Sequence, residues 1–261
     1  MSKIKDFMFT FSRGKRVILQ ISNMKYLKVI SKFLNNLQLR KKNYFKEIAK
    51  LDSKTLLREI SKKKCRGLFI DCGSNIGQGF VFFKKYYQLQ NFDFILVEPN
   101  PNCVEILKSK FSKFISQSLV QVVAEAAGTN CDKKLLFGLS GESERCHKLN
   151  QGASILKNHN SNFYKPDVKN SITVDSFSLS ELLFEKSKDY EFIVLKLDIE
   201  GAEYDVLDNL IKSNAINIPS YMYVEFHAKY MQGNSLTYYR EKEKYFLEFF
   251  DLNDINFREW R

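Results

Sequence analysis

The stretch that decides the fold is Leu68-Phe69-Ile70-Asp71-Cys72-Gly73-Ser74-Asn75-Ile76-Gly77. Its apolar first half predicts a strand, and its glycines predict a turn that leads into a helix. Because Gly73 and Gly77 lack side chains, backbone N–H groups and the N-terminus of that helix can approach a ligand closely. A second apolar run ends in Glu98, and a carboxylate at the end of the second strand of an α/β nucleotide site binds the ribose hydroxyls. Together these features predict a nucleotide-like cofactor.

The spacing of the first turn indicates which cofactor. It reads Asp-x-Gly-x-x-x-Gly, with Asn75 in place of the middle glycine of dinucleotide-binding turns, which leaves less room for a pyrophosphate. No Gly-x-x-x-x-Gly-Lys-Ser/Thr phosphate loop occurs in the sequence. Asp71 adds negative charge beside a cationic ligand. These features favour S-adenosylmethionine, which has a sulfonium and an amino group but no phosphate. For this turn alone, a plain strand–turn–helix with an Asp or Ser N-cap is the alternative.

A third apolar run, Phe192–Leu197, is followed by Asp198-Ile199-Glu200-Gly201-Ala202-Glu203. At this point the chain resembles the FkbM family of S-adenosylmethionine-dependent methyltransferases, over roughly residues 65–230. The matching pieces, in the family's order, are Asp71–Gly77, Val97–Pro101, Leu195–Glu203 and Val224–His227. The resemblance implies a class I methyltransferase, with a Rossmann-like doubly wound α/β sheet. It also implies O-methylation of a hydroxyl on a sugar, glycolipid or polyketide-like metabolite, so the expected partner is a small-molecule or glycan acceptor.

Composition limits the classes of protein that the chain can be. Hydrophobic residues make up 44% of its 261 residues, enough for one α/β domain with an extension. The 5 cysteines include no Cys-x-x-Cys pair, which argues against a disulfide framework and a structural zinc site. The cysteine usage predicts a reducing cytoplasm. We find neither a signal peptide nor an apolar run long enough to span a membrane.

The net charge of +11 is concentrated at the N-terminus. Residues 1–64 hold 18 of the 41 basic and 4 of the 30 acidic residues, so the remainder is nearly neutral and a general nucleic-acid binder is not expected. Apolar residues at helical intervals predict that residues 1–64 form a basic helical extension. Its basic face is either simply solvated or a surface for peripheral contact with anionic membrane lipids; direct RNA binding is a further alternative.

From Leu68 onward, strand and helix patterns alternate, as in a doubly wound parallel sheet, and we assign residues 65–261 to the methyltransferase domain. Strands are predicted near residues 67–72, 93–98, 119–126, 134–140, 171–175, 191–198 and 220–226. Helices are predicted near residues 77–89, 101–112, 178–186, 203–213 and 237–250. The polar stretch 141–170 is predicted to be an insertion loop on the substrate side. Too few residues follow the last helix for a full C-terminal antiparallel hairpin, so we expect a shortened one, with the sheet edge covered by the N-terminal helices or by a second subunit.

The predicted cofactor site consists of Asp71, Gly73, Asn75, Gly77, Glu98 and Glu125. The glycine turn would line the methionine end of the cofactor, with Asp71 adjusting the turn. Glu98 would bind the two ribose hydroxyls, and Glu125, near the end of the third strand, would lie close to the adenine. In a doubly wound sheet, ligands bind at the carboxyl ends of the strands, where these residues fall.

The predicted catalytic residues are Asp198, His227, Lys196 and Glu225. Methyl transfer to a hydroxyl needs a group that removes its proton, and Asp198, Glu200, Glu225 and His227 are the candidates. Lys196, a charge inside an apolar strand, points to the same face as Asp198 and is expected to pair with Asp198 or Glu225, or to contact the acceptor. The same acids and His227 are compatible with a divalent metal, which the sequence does not require. Glu203 is interpreted as an acid at a helix N-terminus, where it suits the dipole.

Two other functions remain open. One is an RNA ribose methyltransferase that uses the basic N-terminus to hold RNA, although that segment lacks regularly interleaved aromatic residues for base stacking. The other is a catalytically idle module that docks to a membrane or a partner through residues 1–64. The joint presence of Asp71, Gly73, Glu98 and Asp198 argues against loss of cofactor binding.

Overall fold

A computed structural model describes the backbone of residues 5–10, 16–21, 24–138, 153–157, 168–231 and 234–260, and side chains from residue 43 onward except those of residues 170 and 234. The chain divides into two compact units, residues 1–50 and 51–261. The predicted insertion, residues 141–170, lies mostly outside the described residues. The domain boundary predicted after residue 64 falls beyond the boundary between these units.

The sequence predicts helices throughout residues 1–64, but the N-terminal unit also contains two strands. Strands β1 (Lys5–Thr10) and β2 (Arg16–Ile21) pair antiparallel, with Lys5 opposite Ile21. A long helix, α1 (Met24–Lys63), follows. The helical prediction is therefore wrong for Lys5–Thr10 and Arg16–Ile21. The physical reason is visible in β2, where the run Val17-Ile18-Leu19 is apolar and rich in β-branched residues, which favour strands.

The second unit is built on a six-stranded parallel sheet with the order β11-β10-β9-β3-β4-β5. Its strands are β3 (Gly67–Cys72), β4 (Phe92–Val97), β5 (Val120–Val123), β9 (Phe192–Leu197), β10 (Tyr221–Val224) and β11 (Phe257–Glu259). Every residue of β3 is buried, which explains its unbroken apolar run, because a central parallel strand is covered on both faces. The predicted doubly wound α/β fold is confirmed.

A separate three-stranded sheet contains residues that we had assigned to the central sheet. It consists of β6 (Ala126–Gly128), β7 (Asp132–Leu136) and β8 (Ile172–Ser178), in the order β6-β8-β7. The predicted strand 119–126 is thus divided between two sheets, and the strands predicted at 134–140 and 171–175 leave the central one. The burial pattern explains the difference. Residues along β8 alternate between buried and more exposed positions, as in a sheet with one face toward solvent.

Between these strands, the described residues include the helices α2 (Gln78–Phe83), α3 (Pro101–Lys110), α4 (Ser112–Ser116), α5 (Leu179–Lys186), α6 (Glu203–Lys212) and α7 (Asn234–Leu252). Helix α2 ends well before the predicted residue 89. Beyond the end of α2, the carbonyls of Leu89 and Gln90 accept hydrogen bonds from the Arg66 guanidinium, at 2.9 and 2.8 Å, and not from backbone N–H groups of a continuing helix. In the part of the chain that the structure describes, no helix is both long and apolar enough to cross a membrane.

The last strand corrects the expectation of a shortened C-terminal hairpin. Strand β11 follows α7 and pairs parallel to β10, with Met222 opposite Phe257. An antiparallel closing strand is absent from the described residues of the central sheet. All six strands therefore point the same way, and their carboxyl ends form one continuous edge. The predicted site residues lie at or just beyond this edge.

Candidate active site

The turn after β3 is held in a conformation that depends on glycine. Gly73 has φ +80°, and a Cβ at this position would lie 1.7 Å from the backbone oxygen of Asp198. Gly77 has φ +88°, and its Cβ would lie 2.4 Å from the ring of Phe111. Asn75 also has a positive φ, of 48°, which asparagine tolerates better than most residues. The turn is therefore packed directly against the end of β9, with its backbone at the sheet edge.

Glu98 connects this turn to the end of β4. Its Oε2 accepts a hydrogen bond from the Asn75 N–H at 2.8 Å, and its Oε1 accepts one from the Asn100 N–H at 2.9 Å. Burial raises the pKa of Glu98 to about 7, although both amide hydrogen bonds oppose that shift. Each carboxylate oxygen can accept two hydrogen bonds, so each amide occupies one of two acceptor positions. Glu98 lies where the sequence predicted, beside the first turn.

Lys196 and Asp71 form an ion pair beneath the turn. The Lys196 Nζ lies 2.9 Å from Asp71 Oδ1 and 3.2 Å from Asp198 Oδ2, and donates to the Gly73 carbonyl at 3.5 Å. Desolvation alone would lower the pKa of Lys196, but Asp198 and Asp71 outweigh it and raise the pKa. The predicted common face of Lys196 and Asp198 is confirmed. The side chains of Lys196 and Asp71 are 2% and 0% exposed, so both lie in the protein interior beneath the turn.

The burial of this pair restricts the roles that the sequence suggested for it. A Cβ at Gly79, at the start of α2, would lie 2.8 Å from Asp71 Oδ2 and 3.3 Å from Lys196 Cε. The helix backbone thus covers the pair closely. Direct contact between Lys196 and an acceptor does not fit this arrangement. Both residues are placed to position the turn and Asp198.

His227 lies just beyond β10, among carboxylates. Its Nε2 is 3.4 Å from Glu200 Oε2, 3.7 Å from Asp198 Oδ1 and 4.0 Å from Glu225 Oε1. Burial alone would lower the pKa of His227, but Glu203, Glu200 and Asp198 together raise it to about 10. The structure therefore brings together the four residues that the sequence proposed for proton removal.

Glu203 was misjudged from the sequence as an acid that merely suits a helix dipole. It is fully buried, and its Oε1 accepts a hydrogen bond from the His227 N–H and contacts His227 Nδ1, both at 2.9 Å. Its Oε2 accepts one from the Gly201 N–H at 2.8 Å. Glu203 therefore fixes both the imidazole ring and the turn before α6. The signal available in the sequence was its place at the end of the Leu195–Glu203 motif.

The turn between β9 and α6 carries Glu200 in an unusual conformation. Glu200 and Gly201 have φ values of 53° and 104°, in the left-handed region that favours glycine. The Glu200 carbonyl accepts a hydrogen bond from Ser154 Oγ at 2.7 Å, so a described part of the predicted insertion reaches the site. Glu125, in contrast, lies in the half-buried bend between β5 and β6, and its contact with adenine remains a prediction.

Residues 71–257 match the family model described as the methyltransferase FkbM domain. The chain belongs to the FkbM methyltransferase family. All of the predicted site residues lie inside the matched range, including the Lys196–Asp71 pair and the His227 cluster. The family match and the predicted site residues thus cover the same part of the chain.

Solved structures give distant similarities only. The methyltransferase FkbM from Methylobacillus flagellatus KT is 14% identical with a TM-score of 0.41, covering 69% of this chain and 37% of that one. This FkbM chain therefore spans little more than a third of that relative's length. A putative rRNA methylase from Clostridium thermocellum is 9% identical with a TM-score of 0.32, covering 70% of this chain and 72% of that one. No curated protein matches the chain significantly.

The close approach of the turn to β9 yields a direct prediction. Gly73→Ala should lower the free energy of unfolding by at least about 2 kcal/mol, because the new methyl group meets the Asp198 oxygen and the backbone conformation is strained. The matched control is Gly128→Ala, where the nearest atoms lie 3.5 Å from the added Cβ. Urea unfolding of both variants and the wild type measures the difference. Equal stabilities of the two variants would contradict the described packing of the turn.

Proposed function

We propose that this FkbM methyltransferase binds S-adenosylmethionine and transfers its methyl group to a hydroxyl of a glycan or a related small molecule. The observation that carries the proposal is the placement of two groups of residues on one edge of the sheet. The glycine turn and Glu98 lie at the ends of β3 and β4, while Asp198 and His227 lie at the ends of β9 and β10. Since β3 lies between β4 and β9, the proposed cofactor and acceptor positions are adjacent.

The residues of the turn fit the cofactor proposed for them. At Gly73 the absence of a Cβ lets the turn pack against the Asp198 backbone, which holds the turn at the sheet edge where we propose that the methionine group binds. The second acceptor position on each Glu98 oxygen suits one of the vicinal hydroxyls of a ribose. The neighbouring carboxylates of Asp198, Glu200 and Glu225 provide negative potential for a ligand that carries a sulfonium. When bound, the cofactor supplies an electrophilic methyl group.

The acceptor side has the groups that an O-methylation needs. As the acceptor oxygen forms its bond to the methyl carbon, the carbon–sulfur bond breaks and the hydroxyl proton must leave. Asp198 and Glu225 are 22% and 20% exposed, so both carboxylates can meet an acceptor and take that proton. His227 is a poorer base, because the surrounding carboxylates hold a proton on it at neutral pH. Its proposed role is to orient these acids.

The charge of the site favours a neutral acceptor over a nucleic acid. Asp198, Glu200 and Glu225 are partly exposed around His227. Among the described residues, the lysines that contact these three acids are Lys229, 3.2 Å from Glu225, and the buried Lys196, 3.2 Å from Asp198. Such a surface repels phosphate groups, which nucleic-acid enzymes usually hold with lysine and arginine. A sugar offers hydroxyls without a charge. This argument supports a glycan or a similar hydroxylated metabolite as the acceptor.

The cofactor site is tested by calorimetric titration of S-adenosylhomocysteine. Wild type should bind with micromolar affinity, and Glu98→Ala should weaken binding at least tenfold, about 1.4 kcal/mol, because the ribose hydroxyls lose their acceptor. Glu105→Ala, an exposed acid in the neighbouring helix α3, should bind like the wild type. Absence of binding by folded wild type would refute the proposal, after which acceptor screening would have no basis.

The same titration has a pH signature, because the pKa of Glu98 is raised to about 7 in the free protein. Hydroxyl donors favour the charged carboxylate, so wild-type affinity should fall as the pH is lowered from about 8 to about 6. This fall should be absent in the Glu98→Ala variant. An identical pH dependence in both proteins would show that Glu98 does not contact the ligand.

For residues 1–64 we propose peripheral contact with anionic membranes, on the basis of their excess of basic residues. The full chain should co-sediment with vesicles that contain phosphatidylserine and remain in solution with neutral vesicles. High salt should release it, because screening weakens the attraction. A variant with Arg40, Lys41 and Lys42 changed to glutamine should bind less. Equal binding to both kinds of vesicle would contradict the proposal.

A further inference from the structure

We propose that Asp198, Glu200 and His227 form a binding site for one divalent transition-metal cation, with Mn²⁺ as the representative ion. An imidazole nitrogen combined with carboxylate oxygens suits Mn²⁺ and its neighbours better than Mg²⁺, which prefers oxygen ligands alone. The part that the cation plays in catalysis rests on the function proposed above. Its binding does not, because the three ligands belong to the protein.

The spacing of the ligand atoms fits a single cation. One ligand atom from each of the three residues can be chosen so that all lie within 4.8 Å of one another. His227 Nε2 is 3.4 Å from Glu200 Oε2 and 3.7 Å from Asp198 Oδ1. Ligands held at about 2.1 Å from a common ion lie roughly 3–4 Å apart, so a small contraction would complete the coordination. Glu200 and Asp198 are both partly exposed, which leaves solvent access for the ion.

The imidazole is held as metal-binding histidines are. Its side chain is 3% exposed, with Nδ1 contacting the buried carboxylate of Glu203 at 2.9 Å. A carboxylate on the far nitrogen of a histidine fixes the ring and strengthens the other nitrogen as a ligand. Here that arrangement directs Nε2 toward Asp198 and Glu200. Glu203 also accepts hydrogen bonds from the His227 and Gly201 N–H groups, so it does not compete for the ion.

The charges around the site leave room for a cation. Five carboxylates surround it among the described residues, namely Asp71, Asp198, Glu200, Glu203 and Glu225, whereas the paired lysines are Lys196 and Lys229. Negative charge therefore exceeds positive charge even when His227 carries a proton. A divalent ion would take the place of that proton on Nε2. The competing arrangement, a permanently protonated imidazole without metal, is a distinct outcome of the test.

A cation bound to Asp198, Glu200 and His227 would leave Glu225 as the acid that takes the proton of the acceptor. An acceptor hydroxyl bound to the cation would become more acidic and would be oriented toward the methyl group. Glu225, 4.0 Å from Nε2, is not one of the three ligands. It would take the hydroxyl proton while the oxygen forms its bond to the methyl carbon and the carbon–sulfur bond breaks. Glu225 is thus the proton acceptor in the metal-bound state.

The test is titration of MnCl₂ into the chelator-treated full chain, without cofactor or acceptor, followed by electron paramagnetic resonance of free Mn²⁺. Wild type should bind one ion, and Glu200→Gln should weaken the binding at least tenfold. Glu248→Gln on α7, an exposed acid beside Lys244, is the matched control and should bind like the wild type. His227→Gln removes a second proposed ligand and should also weaken the binding of Mn²⁺. Thermal melts check that all variants are folded.

Two results would overturn the proposal. One is the absence of Mn²⁺ binding by the folded wild type, as expected of a permanently protonated His227. The other is binding that Glu200→Gln and His227→Gln leave unchanged, which would place the ion elsewhere. Because this titration contains no cofactor, its failure is separate from a failure of the S-adenosylhomocysteine titration. A protein that binds the nucleoside but not Mn²⁺ would remain a methyltransferase with a metal-free site.

Discussion

The rest of the site depends on the ion pairs that the buried ammonium group of Lys196 forms with two aspartates. This group is buried between Asp71 on β3 and Asp198 at the end of β9, at 2.9 and 3.2 Å. Burial of a charge costs several kcal/mol unless partners compensate, so neither Lys196 nor the fully buried Asp71 is tolerable alone. Their pairing joins β3, which precedes the proposed cofactor turn, to β9, which precedes the proposed acceptor side.

This pairing supports both halves of the proposed site from the same point. Gly73 packs against the Asp198 backbone, and Lys196 reaches both the Gly73 carbonyl and the Asp198 carboxylate. An in-line methyl transfer depends on the distance between the sulfonium and the attacking oxygen. A shared support beneath both partners restricts that distance better than separate loops would. On the far side, Glu203 holds His227 through two contacts, with the His227 N–H and with Nδ1, and its other oxygen accepts a hydrogen bond from the Gly201 N–H.

The central sheet could be predicted from the sequence because β3, β4 and β9 are continuous apolar runs that end in charged or glycine-rich turns. The second sheet could not, since the break after Val123 is a change of sheet that leaves no mark in hydrophobicity. Strand β2 was missed because Ile18 and Ile21 also fit the helical interval that continues into α1, and β1 was missed with it. The positions of Glu98, Asp198 and His227 just beyond strand ends were predicted correctly, whereas their roles remain predictions. The burial of Glu203 could not be predicted, because an acid in the first turn of a helix is already explained by the helix dipole.

The most direct measurement is a double-mutant cycle on the buried pair, with Lys196→Met, Asp71→Asn and the double variant compared with the wild type by urea unfolding. Lys196→Met should lower the free energy of unfolding by about 3 kcal/mol or more, because it leaves the buried Asp71 carboxylate without its partner. Asp71→Asn should cost less, because Lys196 keeps its contact with Asp198. The double variant should lose at least about 1 kcal/mol less than the sum of the two. Strictly additive losses would contradict the account, since they would mean that the two side chains do not support one another.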